Sequence, residues 1–466
     1  MQAPDEMITG DRMVTRELAE WVAGVQYEDL PDEVTNEAAM AFTDFLGECL
    51  FVGGTLPWGQ GIADFSAAEG GTVPEATIIA LGARVSAAKA AFANGTMALG
   101  FEYADYGAGS RPYPFAVTAP LALSERFHKS GKELIRSIVI GYEVMWRLFR
   151  SLIVLGKDRH PWPFYVPSVL GTVGASAACA RLLDLDVQNT NYALGLGCAF
   201  AGGTFQGHEE GAWQRSLNGG MAGERAVTAA LMAQRGFKAT ELGLEGVQGF
   251  AKMYAGGHLD VDALLGGLGD DWIIMKRWVK RYPMNTTLHA PVEALLKIMR
   301  EHDLKHTDIA EIVAAWQKVE PFLAKQKVRT VVAAQASLPF ALAVAAVRGK
   351  VTVDEFTEET VGDPVIQGLI PKLRVEQDTE LYQKVTNSMP GRITIRTTDG
   401  REFTDEVLYP KGNPGNRLTE DEFKDKFMGS VVRVLGQEQA EELYNASRDL
   451  ANVDDVTTLA PLFSRK

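Results

Sequence analysis

Gly391–Val407 reads GRITIRTTDGREFTDEV, and it is the clearest strand signal in a chain that otherwise repeats at helical spacing. Ile393 and Ile395 alternate with polar residues, and Asp399-Gly400 makes a hairpin turn. Working outward, 290–302 (APVEALLKIMREH) carries helical period, and 309–321 (IAEIVAAWQKVEP) ends in alternation resembling a strand. Helical 338–349 and 352–363 lie between that segment and the hairpin. Residues 276–412 therefore read as a smaller α+β domain. Before it, nearly every segment from Arg16 to about Ala255 has helical period or Ala/Gly-rich helical composition. The segment 32–54 is expected to be a helix stopped by Gly53-Gly54, and 168–185 is small enough in its side chains to let helices approach closely. After the hairpin, Thr419 with Glu422 makes a capping box, and 437–450 is an amphipathic helix closing back on the first domain. The expectation is a mainly α protein: a large all-helical domain built from both chain ends, 1–275 and 413–466, plus a smaller α+β lid over 276–412.

Composition narrows the function. The chain has 466 residues, and its formal net charge of −14 argues against general nucleic-acid binding, which needs a basic face. It leaves room for an anionic substrate, because the field inside a pocket can oppose the global sign. Cys49, Cys179 and Cys198 lie far apart with no Cys-x-x-Cys, which fits a reducing compartment rather than a disulfide framework. The first residues lack a basic stretch followed by an apolar one, and the most apolar helical run is broken by Arg136, Glu143, Arg147 and Arg150. A cytoplasmic protein without a membrane span is expected.

Familiar motifs fail on inspection. In GLGCAFAGG (195–203) a dinucleotide fingerprint would require Gly where Phe200 stands, and tight helix packing explains it better. In GHEEGAW the second His of a zinc-protease motif would fall on Ala212, so His208 makes no metal pattern, and no cofactor is expected.

Four polar clusters remain. Glu102 and Asp105, at i,i+3 spacing on what reads as a helix, would share a face, and two desolvated carboxylates push one pKa upward. A solvated acidic helix end is the plain alternative. DRHPWPFYVPSVLG (158–171) is stiff and amphipathic, with His160, Tyr165 and Ser168 as polar candidates for a cleft wall; a surface plug over helix ends is the alternative. EEGAWQRSLNGGMAGERA (209–226) offers Gln214, Arg215, Ser216 and Asn218 before a helix, which suits a carboxylate or phosphate unless it is an ordinary cap. KRWVKRYPMNTTLHAP (276–291) brings Lys276, Arg277, Lys280, Arg281, Tyr282, Thr286, Thr287 and His289 to the domain boundary, where ligands tend to bind; a solvated basic linker is the alternative.

These segments, in this order, resemble the 2-methylcitrate dehydratase (MmgE/PrpD) family. AAKAAFANGTMALGFEYAD is similar to its Asn-Gly helix and Asp-rich turn, YVPSVLGTVGASAA to its Gly-Thr helix start, and AWQRSLNGGMAGERAV to its Lys/Arg-x-Leu-His-x-Gly segment. VKRYPMNTTLHAPVEALL resembles its Lys-x-Tyr-Pro segment, QASLPFALA its Ser-x-Pro-Tyr helix, and PKGNPGNRLT its Lys-Gly-x-Pro turn. The resemblance implies a homodimer with the active site between an all-helical domain and an α+β lid. It also implies action on small di- or tricarboxylates, generally without a cofactor, with dehydratases, cis-aconitate decarboxylases and iminodisuccinate epimerases among the members. This chain departs from the pattern at several positions. Tyr113 and Tyr165 stand where active-site histidines are expected, Glu102 and Tyr106 replace the acid and the threonine bounding the Asp-rich turn, and Arg215 and Asn218 replace a lysine and a histidine. Phe340 replaces the tyrosine of the Ser-x-Pro-Tyr helix, and Lys280 keeps its type.

Removing a proton beside a carboxylate requires fixed positive charge where the negative charge develops. Arg215 and Lys280, with Arg111 or Arg281, are assigned that task, and cations beside Tyr165 and Tyr113 would lower their phenol pKa from about 10. Two such phenols on opposite faces of a carbon favour an epimerase of the iminodisuccinate type. A lyase is the alternative, and a non-catalytic polycarboxylate-binding protein a second one.

Overall fold

The computed structural model describes residues 8–107, 111–152, 163–316 and 323–465. At 61% helix and 9% strand it is mainly α. The N-terminal half is a bundle in which Asp32–Thr55, Ala87–Ala98, Gly131–Leu152, Val166–Leu182 and Leu217–Gln234 pack on one another. Glu420–Leu435 and Gln437–Arg448 return from the far end of the chain onto Asp32–Thr55. The capping box at the start of Glu420–Leu435 is formed, with Thr419 N donating to Glu422 at 2.9 Å and Glu422 N to the Thr419 hydroxyl at 3.2 Å. Among the described residues no single helix is long and apolar enough to cross a membrane.

Small residues set the spacing of this bundle. Gly53 and Gly54, expected to stop their helix, lie inside its last turn. A Cβ on Gly53 would meet the Met97 sulfur at 2.5 Å, and one on Gly54 the Val434 side chain at 2.6 Å, so these glycines permit close approach rather than ending the helix. Gly95 and Gly219 do the same between Ala87–Ala98 and Leu217–Gln234, where a Cβ on Gly95 would sit 2.6 Å from the Gly219 carbonyl. That contact brings the segment carrying Arg215 against the turn carrying Glu102.

Two short strands, β1 (Ala76–Thr77) and β2 (Arg84–Val85), pair near the bundle. The larger sheet comprises β3 (Ile309–Trp316), β4 (Leu373–Gln377), β5 (Gly391–Thr397) and β6 (Glu402–Val407), in the order β4-β3-β5-β6. The hairpin forms around Asp399-Gly400, with three loop residues, 398–400, closed by Thr397 N donating to the Arg401 carbonyl at 2.9 Å; Arg396 lies opposite Glu402, Gly400 is at φ +86°, and Ile393 and Ile395 are fully buried. In 309–321 the strand covers Ile309–Trp316, and residues 317–322 lie outside the described set. β4, parallel to β3, is a five-residue run too short and too polar to signal itself in the sequence. Helices His289–Glu301 and Leu338–Arg348 pack together, and His289–Glu301 also lies on β5 and β6.

Candidate active site

Helix Ala87–Ala98 ends before Glu102, and 99–105 is a turn. Glu102 and Asp105 therefore do not share a helical face, contrary to the spacing argument; the turn sends them into different clusters. Glu102, 2% exposed, receives Arg111 Nη2 at 2.5 Å, Arg215 Nη1 at 2.5 Å and Lys280 Nζ at 3.1 Å. Lys280 also donates to the Glu102 carbonyl at 3.0 Å. Burial alone would raise the pKa of this carboxyl, but the charges of Arg111, Lys280 and Arg215 hold it well below the usual range. Three cations on one carboxylate leave a net charge of about +2 around Glu102, which lines the cleft with Arg215. Burial lowers the Lys280 ammonium to about 8, against the pull of Glu102.

Tyr165 joins the same group. It precedes helix Val166–Leu182, its backbone N–H is held by the Gly203 carbonyl at 2.9 Å, and its hydroxyl accepts from Arg111 Nη1 at 3.0 Å. His208 lies beside it, with ring centroids 6.1 Å apart, and lines the cleft with Glu102 and Arg215. Burial, and then Arg215 and Arg111, push the His208 imidazole down to about 3, so it is neutral at pH 7. The opposite wall is apolar, formed by Val332, Ala333 and Ala336 from the sheet-bearing half. Arg215 Nη2 is buried and has no hydrogen-bond partner among the described residues. A buried donor left in that state costs free energy.

Asp105 belongs to a second, fully buried cluster. Its carboxylate accepts from Tyr142 Oη at 2.5 Å and Tyr113 N at 3.2 Å, and lies 3.7 Å from Arg277 Nη1. Arg277 also pairs with Glu37 at 2.8 Å and Asp44 at 3.5 Å, so this cation is internal and not part of a solvated linker. Tyr113 does not stand at the lip of the cleft. It is fully buried, opens helix Tyr113–Ala116, and donates its hydroxyl to Glu48. Burial and then Glu48 push its pKa well above 10, the reverse of the lowering expected beside cations.

The remaining candidates are placed as follows. Tyr106 pairs through its backbone with Trp278, its N–H donating at 2.9 Å to that residue's carbonyl. Asn218 donates to the Arg215 carbonyl at 3.0 Å, and Ser168 Oγ to the Gly202 carbonyl at 2.8 Å, so both brace the segment behind the cleft. Arg281 is partly exposed and turns away, toward Glu422 at 3.5 Å. Tyr282 is buried edge-on against His289, 5.2 Å between centroids. Burial shifts its phenol up to about 12. His289 is fully buried, Lys276 pairs on the surface with Asp271 at 2.8 Å, and Phe340 is core. Gln214 is exposed, Ser216 Oγ donates to the Trp213 carbonyl, Thr286 is buried, and Thr287 bonds Asn285. His160 lies outside the described residues.

Three cleft or near-cleft residues went unread in the sequence. His208 was considered only in a zinc motif, Lys325 sits in an unremarkable basic run, and Glu48 lies inside an apolar helix. Glu48 is buried, receives Phe101 N at 3.1 Å as well as Tyr113, and burial raises its carboxyl to about 8. Glu143 is raised to about 7 by burial, against Arg147. A carboxyl with a raised folded pKa keeps its proton where the unfolded chain has already released it. It therefore favours folding below the ordinary value near 4.5, and that contribution is lost as pH rises to the folded value. His208, lowered from 6.5, acts in the opposite sense only below 6.5. Lys280, lowered from 10.5 to about 8, offsets the decline as pH approaches 8, so thermal stability should fall between about pH 6.5 and 7.5, and Glu48→Gln should flatten that decline in calorimetric scans. A midpoint that stays constant or rises over this interval in the unmodified protein contradicts the assignment.

The cleft thus combines a cation at Arg215, the buried Glu102 carboxylate and an apolar wall. The chain belongs to the MmgE/PrpD family: residues 16–261 match the MmgE/PrpD N-terminal domain and 282–452 the C-terminal domain. It is similar over nearly its whole length to a cis-aconitate decarboxylase-like protein, oryM, of Aspergillus oryzae, at 25% identity over 98% of each chain. A cis-aconitate decarboxylase of Aspergillus terreus is 23% identical over 97% of this chain and 96% of its own length. One of Homo sapiens is 23% identical over 97% and 94%.

Proposed function

We propose that the chain is a lyase that decarboxylates a small unsaturated polycarboxylate of the cis-aconitate kind, using its own side chains. The observation that carries this reading is the convergence of Arg111, Arg215 and Lys280 on Glu102, with a buried Arg215 N–H unsatisfied at the cleft. The names of the relatives supply the reaction type. In an unsaturated tricarboxylate the bond to the departing carboxylate breaks and its electron pair becomes a new double bond. The old π pair moves to the carbon beside a retained carboxylate, and that carbon takes a proton. Arg215 faces the retained carboxylate and stabilises the charge gathering there. Lys280 delivers the proton and recovers it from solvent. Tyr165 holds Arg111, and neutral His208 contributes hydrogen bonding without adding charge.

The epimerase preference rested on two phenols at one carbon. With Tyr113 bound to Glu48 inside the core, only Tyr165 remains beside the cations, and that support is gone. Incubation with cis-aconitate in deuterated water tests the proposal: release of CO2 with one deuterium gained per CO2 is expected. Deuterium exchange without CO2 release overturns it in favour of reversible proton abstraction without decarboxylation, and binding with neither marks a non-catalytic protein. Tyr165→Phe should lower kcat by about 100-fold with an unchanged melting temperature, because Arg111 loses the oxygen that orients it. A variant with wild-type kcat removes Tyr165 from the site.

A further inference from the structure

The segment 101–113 carries Glu102 and Arg111, and one side chain holds both of its ends. Glu48, 3% exposed within helix Asp32–Thr55, accepts from Phe101 N at 3.1 Å through Oε1 and from the Tyr113 hydroxyl through Oε2. Its neighbours on the same helical face repeat the grip: Phe51 meets the Phe101 ring edge-on at 5.0 Å, and Phe45 meets the Tyr113 ring at 6.1 Å. Glu102 is the next residue after Phe101, and Arg111 stands two before Tyr113. The Arg111 guanidinium meets the Glu102 carboxylate at 2.5 Å, and Lys280 donates to the Glu102 carbonyl at 3.0 Å. The segment holding Arg215 is braced separately, by Ser216 on the Trp213 carbonyl and Asn218 on the Arg215 carbonyl. A carboxyl sealed beside two phenylalanines costs free energy that a leucine would not. Leucine, however, cannot fix two polar points at once.

We infer that Glu48 is a positioning residue: by clamping Phe101 and Tyr113 from one helix, it sets the geometry of Glu102 and Arg111, and through Glu102 that of Lys280. This rests on the lyase reading above, in which Lys280 is the proton donor. Without the clamp the cations still attract an acid, but the donor shifts relative to the carbon it protonates. A misplacement of about 1 Å costs up to about 100-fold in rate. Binding and turnover therefore separate: KM follows Arg215, on a segment with its own braces, and kcat follows Lys280.

Steady-state CO2 release from cis-aconitate tests this in the full chain, at a temperature where circular dichroism shows each variant folded. Glu48→Leu deletes both bonds and should lower kcat about 30-fold while leaving KM within about threefold. Glu48→Gln should hold kcat within about threefold, since its oxygen accepts from Phe101 N and its amide donates to the Tyr113 oxygen. Tyr113→Phe deletes one bond and should lower kcat about fivefold, so it carries the test if Glu48→Leu does not fold. Wild-type kcat in folded Glu48→Leu or Tyr113→Phe shows a residue that only stabilises the fold; it overturns this inference and leaves the lyase reading intact. Glu48→Gln as slow as Glu48→Leu also overturns it, because the charge and not the clamp would then matter. A wild type that releases no CO2 overturns the lyase reading, and this inference with it.

Discussion

Lys280→Met is expected to lower kcat for a polycarboxylate by about 10³-fold while the protein stays folded. The lysine is fully buried with its Nζ on the Glu102 carboxylate and carbonyl, and methionine preserves the length of the stem. Glu102 keeps two arginines after the change, so no carboxylate is stranded and the fold should tolerate it. What disappears is the one nearby cation able to give up a proton near neutrality, since guanidinium does not. The same assignment fixes the pH dependence. A proton donor lowered to about 8 is charged below that value, so kcat should be level below about pH 8 and fall about tenfold per unit above it. Steady-state rates from pH 6 to 9.5, with circular dichroism as the folding control, measure both effects. A folded Lys280→Met variant retaining a tenth of wild-type kcat removes lysine as the donor.

Arg277→Leu is expected to give the largest loss of stability of any single change in the cleft region, about 3–5 kcal/mol. Arg277 is fully buried between Glu37, Asp44 and Asp105. Glu37 retains Arg417 at 2.6 Å and Asp44 retains Lys426 at 2.6 Å, but Asp105 loses its cation and keeps only Tyr142 and a backbone N–H. Burial already raises Asp105 to about 6; without Arg277 that carboxyl moves further up. The variant should be most impaired above neutral pH and partly recover near pH 5, where Asp105 takes a proton. Urea unfolding at pH 5 and 8 reads this directly. A loss below about 1 kcal/mol at pH 8 shows that the cluster is not a closed, desolvated unit.

The two variants report on neighbouring clusters with different duties. Glu102 gathers three cations, of which Arg215 lines the cleft, while Asp105 and Arg277 tie the 105 turn to the 277–280 segment that carries Lys280. Catalytic loss without unfolding should therefore track the first cluster, and unfolding the second.

Much of this was legible along the chain. The β5–β6 hairpin shows in its alternation and its Asp-Gly turn, the capping box at Thr419 in residue types three apart, and the helical halves in apolar spacing. Glu102, Arg215, Tyr165 and Lys280 were also recognisable, because motif resemblance marks positions even where the residue type has changed. Asp105 misled because i,i+3 spacing implies a shared face only while the helix continues, and this helix stops before Glu102; Tyr113 misled because the resemblance marks a position without showing that Glu48 holds it in the core. Gly53-Gly54 misled because the same residue serves both as a helix stop and as a gap for a neighbour. Glu48 and Lys325 carried no pattern, because their partners lie more than 50 residues away, and His208 meets Tyr165 and Glu102 only through the fold.

The sequence by itself determined the periodic elements, their terminal signals and the chemistry available at each position, since these depend on residues within a few places of one another. Which cations meet which carboxylate, which tyrosine faces a cleft and which is sealed in the core, and how far burial moves each proton were decided only by tertiary structure. Desolvation and Coulomb interaction depend on distances through space, and these are set by packing between segments such as 95 and 219 that the linear order leaves far apart.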